Sequence, residues 1–155
     1  MIWVTSPGLK INRAATAWLI RRFIDPDAQF VFVSAGNVAD EALRLGGIGF
    51  HAPRSRYPAR NSQGRTPFEV LAIEHCATDE ALQLMSALVR QADVPQPREM
   101  PEAAGLRLIS SAFPLVTADD NEIIERSSLM YDALYAAVQQ KVRAARATGN
   151  QETVI

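Results

Sequence analysis

Fourteen of the sixteen cationic residues in this 155-residue chain are arginines, and two groups of them are placed where they could do chemistry. Arg21 and Arg22 fall inside an apolar stretch, residues 10–25 (KINRAATAWLIRRFID). On a helical wheel Arg21 lies between Ala14 and Ala17, and Arg22 between Trp18 and Ala15, so neither occupies a polar face. A guanidinium cannot shed its charge. In such surroundings it needs a carboxylate, an oxyanion or a route to water. One reading pairs Arg21 with Asp25 at i,i+4 and lets both stems snorkel to the surface. The other has one or both arginines line an anion pocket at the centre of the domain, with Arg13 interrupting the same stretch nearer its start. The second group is Arg54, Arg56, Arg60 and Arg65, in residues 51–67 (HAPRSRYPARNSQGRTP), with no acid between Glu41 and Glu69. These belong either to a solvated loop or to a lid that carries guanidinium groups onto an anionic ligand near the first helix. The fixed donor fork of arginine suits a small tetrahedral oxyanion at any working pH.

The carboxylates Asp119, Asp120, Glu122 and Glu125 stand in the first turns of the last helix, where they complement its dipole. Asp119 and Asp120 are also the candidates for an acid–base or metal-binding role. His51 and His75 have no ligand-like spacing and read as structural. Cys76 follows His75 directly, and adjacent side chains on a helix do not face each other, so a nucleophilic Cys–His pair is not expected. As the single cysteine, Cys76 also excludes an internal disulfide and a cysteine-rich metal site. No GxSxG, HExxH, GxxxxGK[ST] or strand-linked GxGxxG motif is present. The expectation is no metal and no cofactor.

The elements that must position these groups are mostly helical. Asn12 reads as the N-cap of the first helix, whose apolar residues surround the axis as in a central buried helix. Asp25-Pro26 ends it. Residues 2–5 and 28–33 read as strands, residues 37–45 as a short helix stopping at Gly46-Gly47, and residues 48–50 as a third short strand. Strand order and direction do not follow from the pattern. After the long loop, Pro67 opens a helix to residue 74 or 75, and Thr78 caps another to residue 91 or 92. Pro101 begins one through Ile109, with Leu106 and Ile109 facing inward. Thr117-Ala118-Asp119-Asp120 resembles a capping box for the final helix, which runs to about Arg146. The fold class is therefore α+β, predominantly α-helical, with helices packed around a central N-terminal helix beside a small sheet of two to three short strands. Residues 1–146 form a single domain and residues 147–155 a frayed tail.

Length allows one domain with a full core, and 48% hydrophobic with 21% charged residues is ordinary for a soluble globular protein. The net charge of −1 draws the chain to neither nucleic acid nor an acidic membrane, so no direct nucleic-acid binding is expected. No apolar run approaches a membrane span or a signal-peptide core, which points to the cytoplasm.

Three segments, NRAATAWLIRRFIDPDAQFVFV, PEAAGLRLIS and TADDNEIIERSSLMYDALYAA, together resemble the C-terminal domain of the ChrB family of chromate-resistance proteins. The resemblance runs from about residue 3 to residue 142, and WLIRRFID followed by YDALY is its most specific part. It implies a part in chromate resistance; in the family's regulators a DNA-binding region precedes this domain. The family pattern has an acid or Asn at position 12, often Cys at 16, His near 59, Cys at 66 and His at 121. This chain carries Asn12, Thr16, Ala59, Thr66 and Asn121, while keeping Arg13, Trp18, Arg21, Arg22, Asp25, Phe68, Asp119, Asp120, Glu125, Tyr131 and Asp132. The expected function is binding or sensing of a small oxyanion of the chromate, sulfate or phosphate class, through Arg13, Arg21, Arg22, Arg54, Arg56, Arg60 and Arg65. The alternative is an enzyme for an anionic metabolite, with Asp119 or Asp120 as base and arginines as electrostatic stabilisers. A protein partner or a homo-oligomer stays open beside the anionic ligand.

Overall fold

Three short strands alternate apolar residues onto both of their faces. The computed structural model describes residues 1–149, in which β1 (Ile2–Thr5), β2 (Gln29–Phe32) and β3 (Ile48–Gly49) pair in the order β2-β1-β3, all parallel. Trp3 stands beside Phe30 and Ile48, and Val4 beside Val31 and Gly49. Successive side chains of a strand point to opposite faces. Trp3, Phe30 and Phe32 thus enter one apolar cluster, while Ile2, Val4, Val31 and Val33 enter another. A parallel sheet needs both faces covered. Helix α1 (Ile11–Leu19) covers the Trp3 side, and α2 (Val38–Leu45) covers the Val4 side through Val38 and Ala42. The chain reaches β2 on one edge of β1 and then crosses back to β3 on the other. With both crossovers of one hand, their helices land on opposite faces. Gly47 lets the return to β3 pass close to β1, since a Cβ there would lie 2.6 Å from the Ile2 carbonyl oxygen.

Helix α1 is the centre of the molecule. It packs against α3 (Pro67–Cys76), α4 (Glu80–Asp93), α5 (Pro101–Ser111) and α6 (Asp120–Thr148). Ala14, Ala15, Ala17, Trp18, Leu19 and Ile20 are all buried, and the small side chains let neighbouring helices approach closely. Its start differs from the sequence expectation. Lys10 is the N-cap, without a side-chain bond, and Asn12 lies inside the first turn, buried at 1% exposure. Its end differs too. Residues Ile20–Ile24 wind as a π-helical turn, closed by the Asp25 N–H donating to the Ile20 carbonyl at 2.7 Å. The wider turn displaces Arg21 and Arg22 from ideal wheel positions.

The later helices begin where short polar side chains can hold free N–H groups. Thr66 and Glu69 form a reciprocal capping box at α3. Asp79, rather than Thr78, caps α4 by accepting the Leu82 N–H, and Asp119, rather than Thr117, caps α6 by accepting the Glu122 N–H. On α5, Leu106 is buried as expected, but Ile109 is 54% exposed. The inward place goes to Ser110, whose hydroxyl bonds the buried Tyr131 hydroxyl at 3.1 Å. Helix α6 continues to Thr148, past the expected end at Arg146, and Gly149 stops it in the left-handed conformation. The rest of the expected tail, residues 150–155, lies outside the described residues. No helix among the described residues is long and apolar enough to cross a membrane.

Candidate functional site

A parallel sheet gathers its loops at the carboxyl ends of the strands, and a crevice forms where neighbouring connections depart in opposite directions. With the order β2-β1-β3 that point lies between β1 and β3. The chain leaves β1 through Ser6-Pro7-Gly8 into α1, and leaves β3 through Phe50 and His51 into the long loop. Thr5, fully buried, ties the two exits by donating its hydroxyl to the Phe50 carbonyl at 2.9 Å.

Arg13 reaches back from α1 to the first of these loops. Its Nη1 donates to the Ser6 carbonyl (2.6 Å), the Ser6 hydroxyl (2.7 Å) and the Pro7 carbonyl (3.0 Å), and its Nη2 to the Gly8 carbonyl (2.6 Å). Asp120, from the start of α6, accepts the Gly8 N–H at 2.9 Å and the Leu9 N–H at 2.5 Å. A carboxylate at that place complements the positive end of α1. Asp119 and Asp120 therefore both hold backbone N–H groups. Burial presses the Arg13 pKa below its ordinary value, against the opposing fields of Asp120 and Asp93.

His51 lies two residues beyond β3 with a φ of +54°, a left-handed conformation that costs a non-glycine residue about 1–2 kcal/mol. Its N–H donates to the Tyr57 carbonyl at 2.6 Å. Of its ring nitrogens, Nε2 is buried without a partner. Burial, together with the field of Arg13 and more weakly that of Arg60, pushes the His51 pKa down, while Asp93 pulls the other way. Arg60 donates its Nη2 to Asp93 at 3.1 Å and its Nη1 to the Ala59 carbonyl at 2.8 Å. Beside Arg13, Asn12 accepts the Thr16 hydroxyl at 3.3 Å through Oδ1, and its buried Nδ2 has no partner. The corner thus gathers guanidinium charge from Arg13 and Arg60, the Asp93 carboxylate and the His51 imidazole.

The other arginines singled out in the sequence have partners of their own. Arg21 donates its Nε to the Ala28 carbonyl at 3.4 Å and lies over the Phe30 ring. Arg22 pairs with Asp132 at 3.5 Å and lies over Phe23. Both stand at the end of α1 remote from Arg13. Asp25 does not pair with Arg21; it binds the N-terminal ammonium at 3.0 Å and the Trp3 indole N–H at 3.1 Å. Arg54 reaches Asp40 of α2 at 3.3 Å, both exposed, and Arg56 lies over Tyr57. Arg65 is exposed, with its N–H on the Asn61 side chain. Of the seven arginines, Arg13 and Arg60 are the two whose fields meet at His51. His51 itself, Asn12 and Asp93 carried no functional signal in the sequence. His51 could have been marked only as the residue closing the third strand, which gains meaning once β3 is known to lie beside β1. His75 is exposed, and the half-buried Cys76 thiol is pushed up by burial and by Asp79. Among the described residues no three His, Cys, Asp or Glu side chains gather as a metal site.

The family described as ChrB, C-terminal domain, matches residues 3–138. Over 135 residues the chain is 28% identical to Protein ChrB of Cupriavidus metallidurans, an alignment covering 86% of this chain and 39% of that protein. The chain therefore spans well under half the length of that relative. No solved structure matches. At two of the positions that depart from the family pattern, Thr16 and Thr66, the side chains are buried. Their hydroxyl oxygens are neutral and weakly basic, so they do not fit a zinc, iron or copper centre.

Proposed function

This chain belongs to the ChrB C-terminal domain family, and from that premise we propose that it serves chromate resistance by binding a small tetrahedral oxyanion at the carboxyl edge of its sheet. The observation that carries the reading is the buried His51 Nε2 without a protein partner, under the field of Arg13 and Arg60, with a second such nitrogen, Asn12 Nδ2, on the residue before Arg13. A buried polar atom left unpaired costs roughly 1–3 kcal/mol, a cost that ligand oxygens would remove. Arg13 spends most of its Nη donors on Ser6, Pro7 and Gly8, so it contributes charge and the shape of the loop. Arg60 is 35% exposed and tied to Asp93 through one nitrogen, which leaves it donors to turn toward a ligand. The role in the cell is that of a sensing or accessory domain.

The test is thermal unfolding in low-chloride buffer with added chromate, sulfate or phosphate. A ligand present at a hundred times its Kd, bound only by the folded state, adds about 2.7 kcal/mol, a rise of several degrees for a chain of this size. Arg60→Gln and Arg13→Gln should shrink the rise, whereas Arg21→Gln and Arg22→Gln, at the far end of α1, should leave it intact. No rise with any of the three anions ends this reading.

A further inference from the structure

We infer that the outer face of α5 is the contact surface of a homodimer, in which two copies pair their α5 helices antiparallel about a two-fold axis. Four large apolar side chains stand open to solvent on this one short stretch: Leu108 is 73% exposed, Ile109 54%, Leu115 84% and Val116 68%. The helical winding that carries them does not stop at the end of α5. The Ala112 N–H donates to the Ile109 carbonyl at 3.1 Å, Leu115 to Ala112 at 2.9 Å and Val116 to Phe113 at 3.1 Å, so the chain keeps turning through residue 116. Leu108, Ala112 and Leu115 therefore follow one side at i, i+4 and i+7, with Ile109 and Val116 next to them. The inner side is already used, by the buried Ala103, Leu106 and Ser110. The two charges of α5 lie at the flanks and are engaged within the chain. Arg107 bonds Glu99 and the Gln91 and Ala92 carbonyls, and Glu102 pairs with Lys141 at 2.6 Å. An uncharged apolar patch of this extent marks an interaction surface.

A second copy is the occupant this face fits. An isologous contact needs a bump and its matching hollow on the same patch. Gly105 supplies the hollow one turn before Ile109. Glycine inside a helix is unfavourable relative to alanine, and a Cβ at Gly105 would meet nothing within 4 Å, so packing within the chain does not call for it. A two-fold axis between the two residues seats each Ile109 over Gly105 of the other copy. Charge agrees with that direction. Arg98, just before α5, and Asp119, just after the stretch, are both exposed and form no ion pair among the described residues. Antiparallel pairing brings the Arg98 end of each copy to the Asp119 end of the other. Size agrees as well: the four open side chains and the small residues between them present roughly 700 Å² per copy, close to what each partner gives a stable interface of standard size.

The test is sedimentation velocity on the full chain across the micromolar concentration range, where a reversible monomer–dimer equilibrium should appear. Leu108→Lys and Ile109→Lys change side chains exposed in the monomer, so circular dichroism should be unaltered while the dimer Kd rises at least about tenfold for each. Arg98→Glu should weaken the dimer by a smaller factor, and the wild-type Kd should rise with salt. Gly105→Ala separates an interface from a merely structural role, because its two effects have opposite sign. The dilute monomer should resist urea better, through higher helix propensity, while the dimer weakens because the added methyl groups hold the two helices apart. A chain that stays monomeric at every concentration overturns the inference. So does a dimer whose Kd is unmoved by Leu108→Lys and Ile109→Lys, since its interface then lies elsewhere.

Discussion

At His51 a single side chain links fold stability to pH. Its folded-state pKa lies below the ordinary 6.5, chiefly through burial. Between those two values the unfolded chain holds more protons than the folded one, so stability must fall as pH drops through this window and is fully present above it. Urea midpoints measured without added anion should decline from pH 7.5 toward pH 5.5, and His51→Asn should flatten the decline. A wild-type midpoint that stays level through the window, with carboxylate effects still appearing further into acid, would mean that the imidazole is solvated and not buried beside Arg13.

Among the elements, α1 carries the most. Trp18 is 2% exposed, packs edge-on to Phe23 and at a tilt against Tyr131 and Tyr135, and donates its indole N–H to Asp132 at 2.9 Å. Trp18→Ala should destabilise the protein by roughly 3–5 kcal/mol, read as a lower denaturation midpoint, and Trp18→Phe by less because most ring contacts survive. A midpoint near wild type for the alanine variant would place α1 at the surface. Helix α3 depends on its first turn: Thr66 is fully buried and shares the capping box with Glu69. Thr66→Ala should cost about 1 kcal/mol, typical of a lost N-cap. Thr66→Ser keeps the hydroxyl and should recover most of that loss.

Among the described residues of the whole molecule, no three His, Cys, Asp or Glu side chains gather as a metal site. Asp119 and Asp120, the acids most open to a metal role on sequence grounds, are already bonded to the N–H groups of Glu122, Gly8 and Leu9. First-row transition ions favour thiolate and imidazole, and the hard ions Mg²⁺ and Mn²⁺ need free carboxylate oxygens. Purified protein dialysed against a mild chelator should therefore carry no zinc, iron or copper in elemental analysis. Near-stoichiometric zinc or iron would sink that expectation and bring His51, His75 or Cys76 into a site of a different kind.

By itself the sequence determined the family, the mainly helical α+β class, the central apolar helix and most helix starts. Each of these is written locally: the apolar wheel around Trp18, the β-branched and aromatic run through Phe30, and the prolines that open α3 and α5. It did not determine the strand order, because residues 2–5, 29–32 and 48–49 carry no mark of which pairs with which. Nor did it separate the arginines. Arg21 and Arg22 look equivalent to Arg13 on a wheel, yet a π-helical turn and the length of α1 give them Phe30 and Asp132 as partners, far from β3. The corner of Arg13, His51, Arg60 and Asp93 draws on four separate segments whose spacing obeys no helical or strand period. Only the crossing of the chain from β2 over β1 to β3 brings them to one edge, because burial and through-space charge depend on three-dimensional distance and not on distance along the chain.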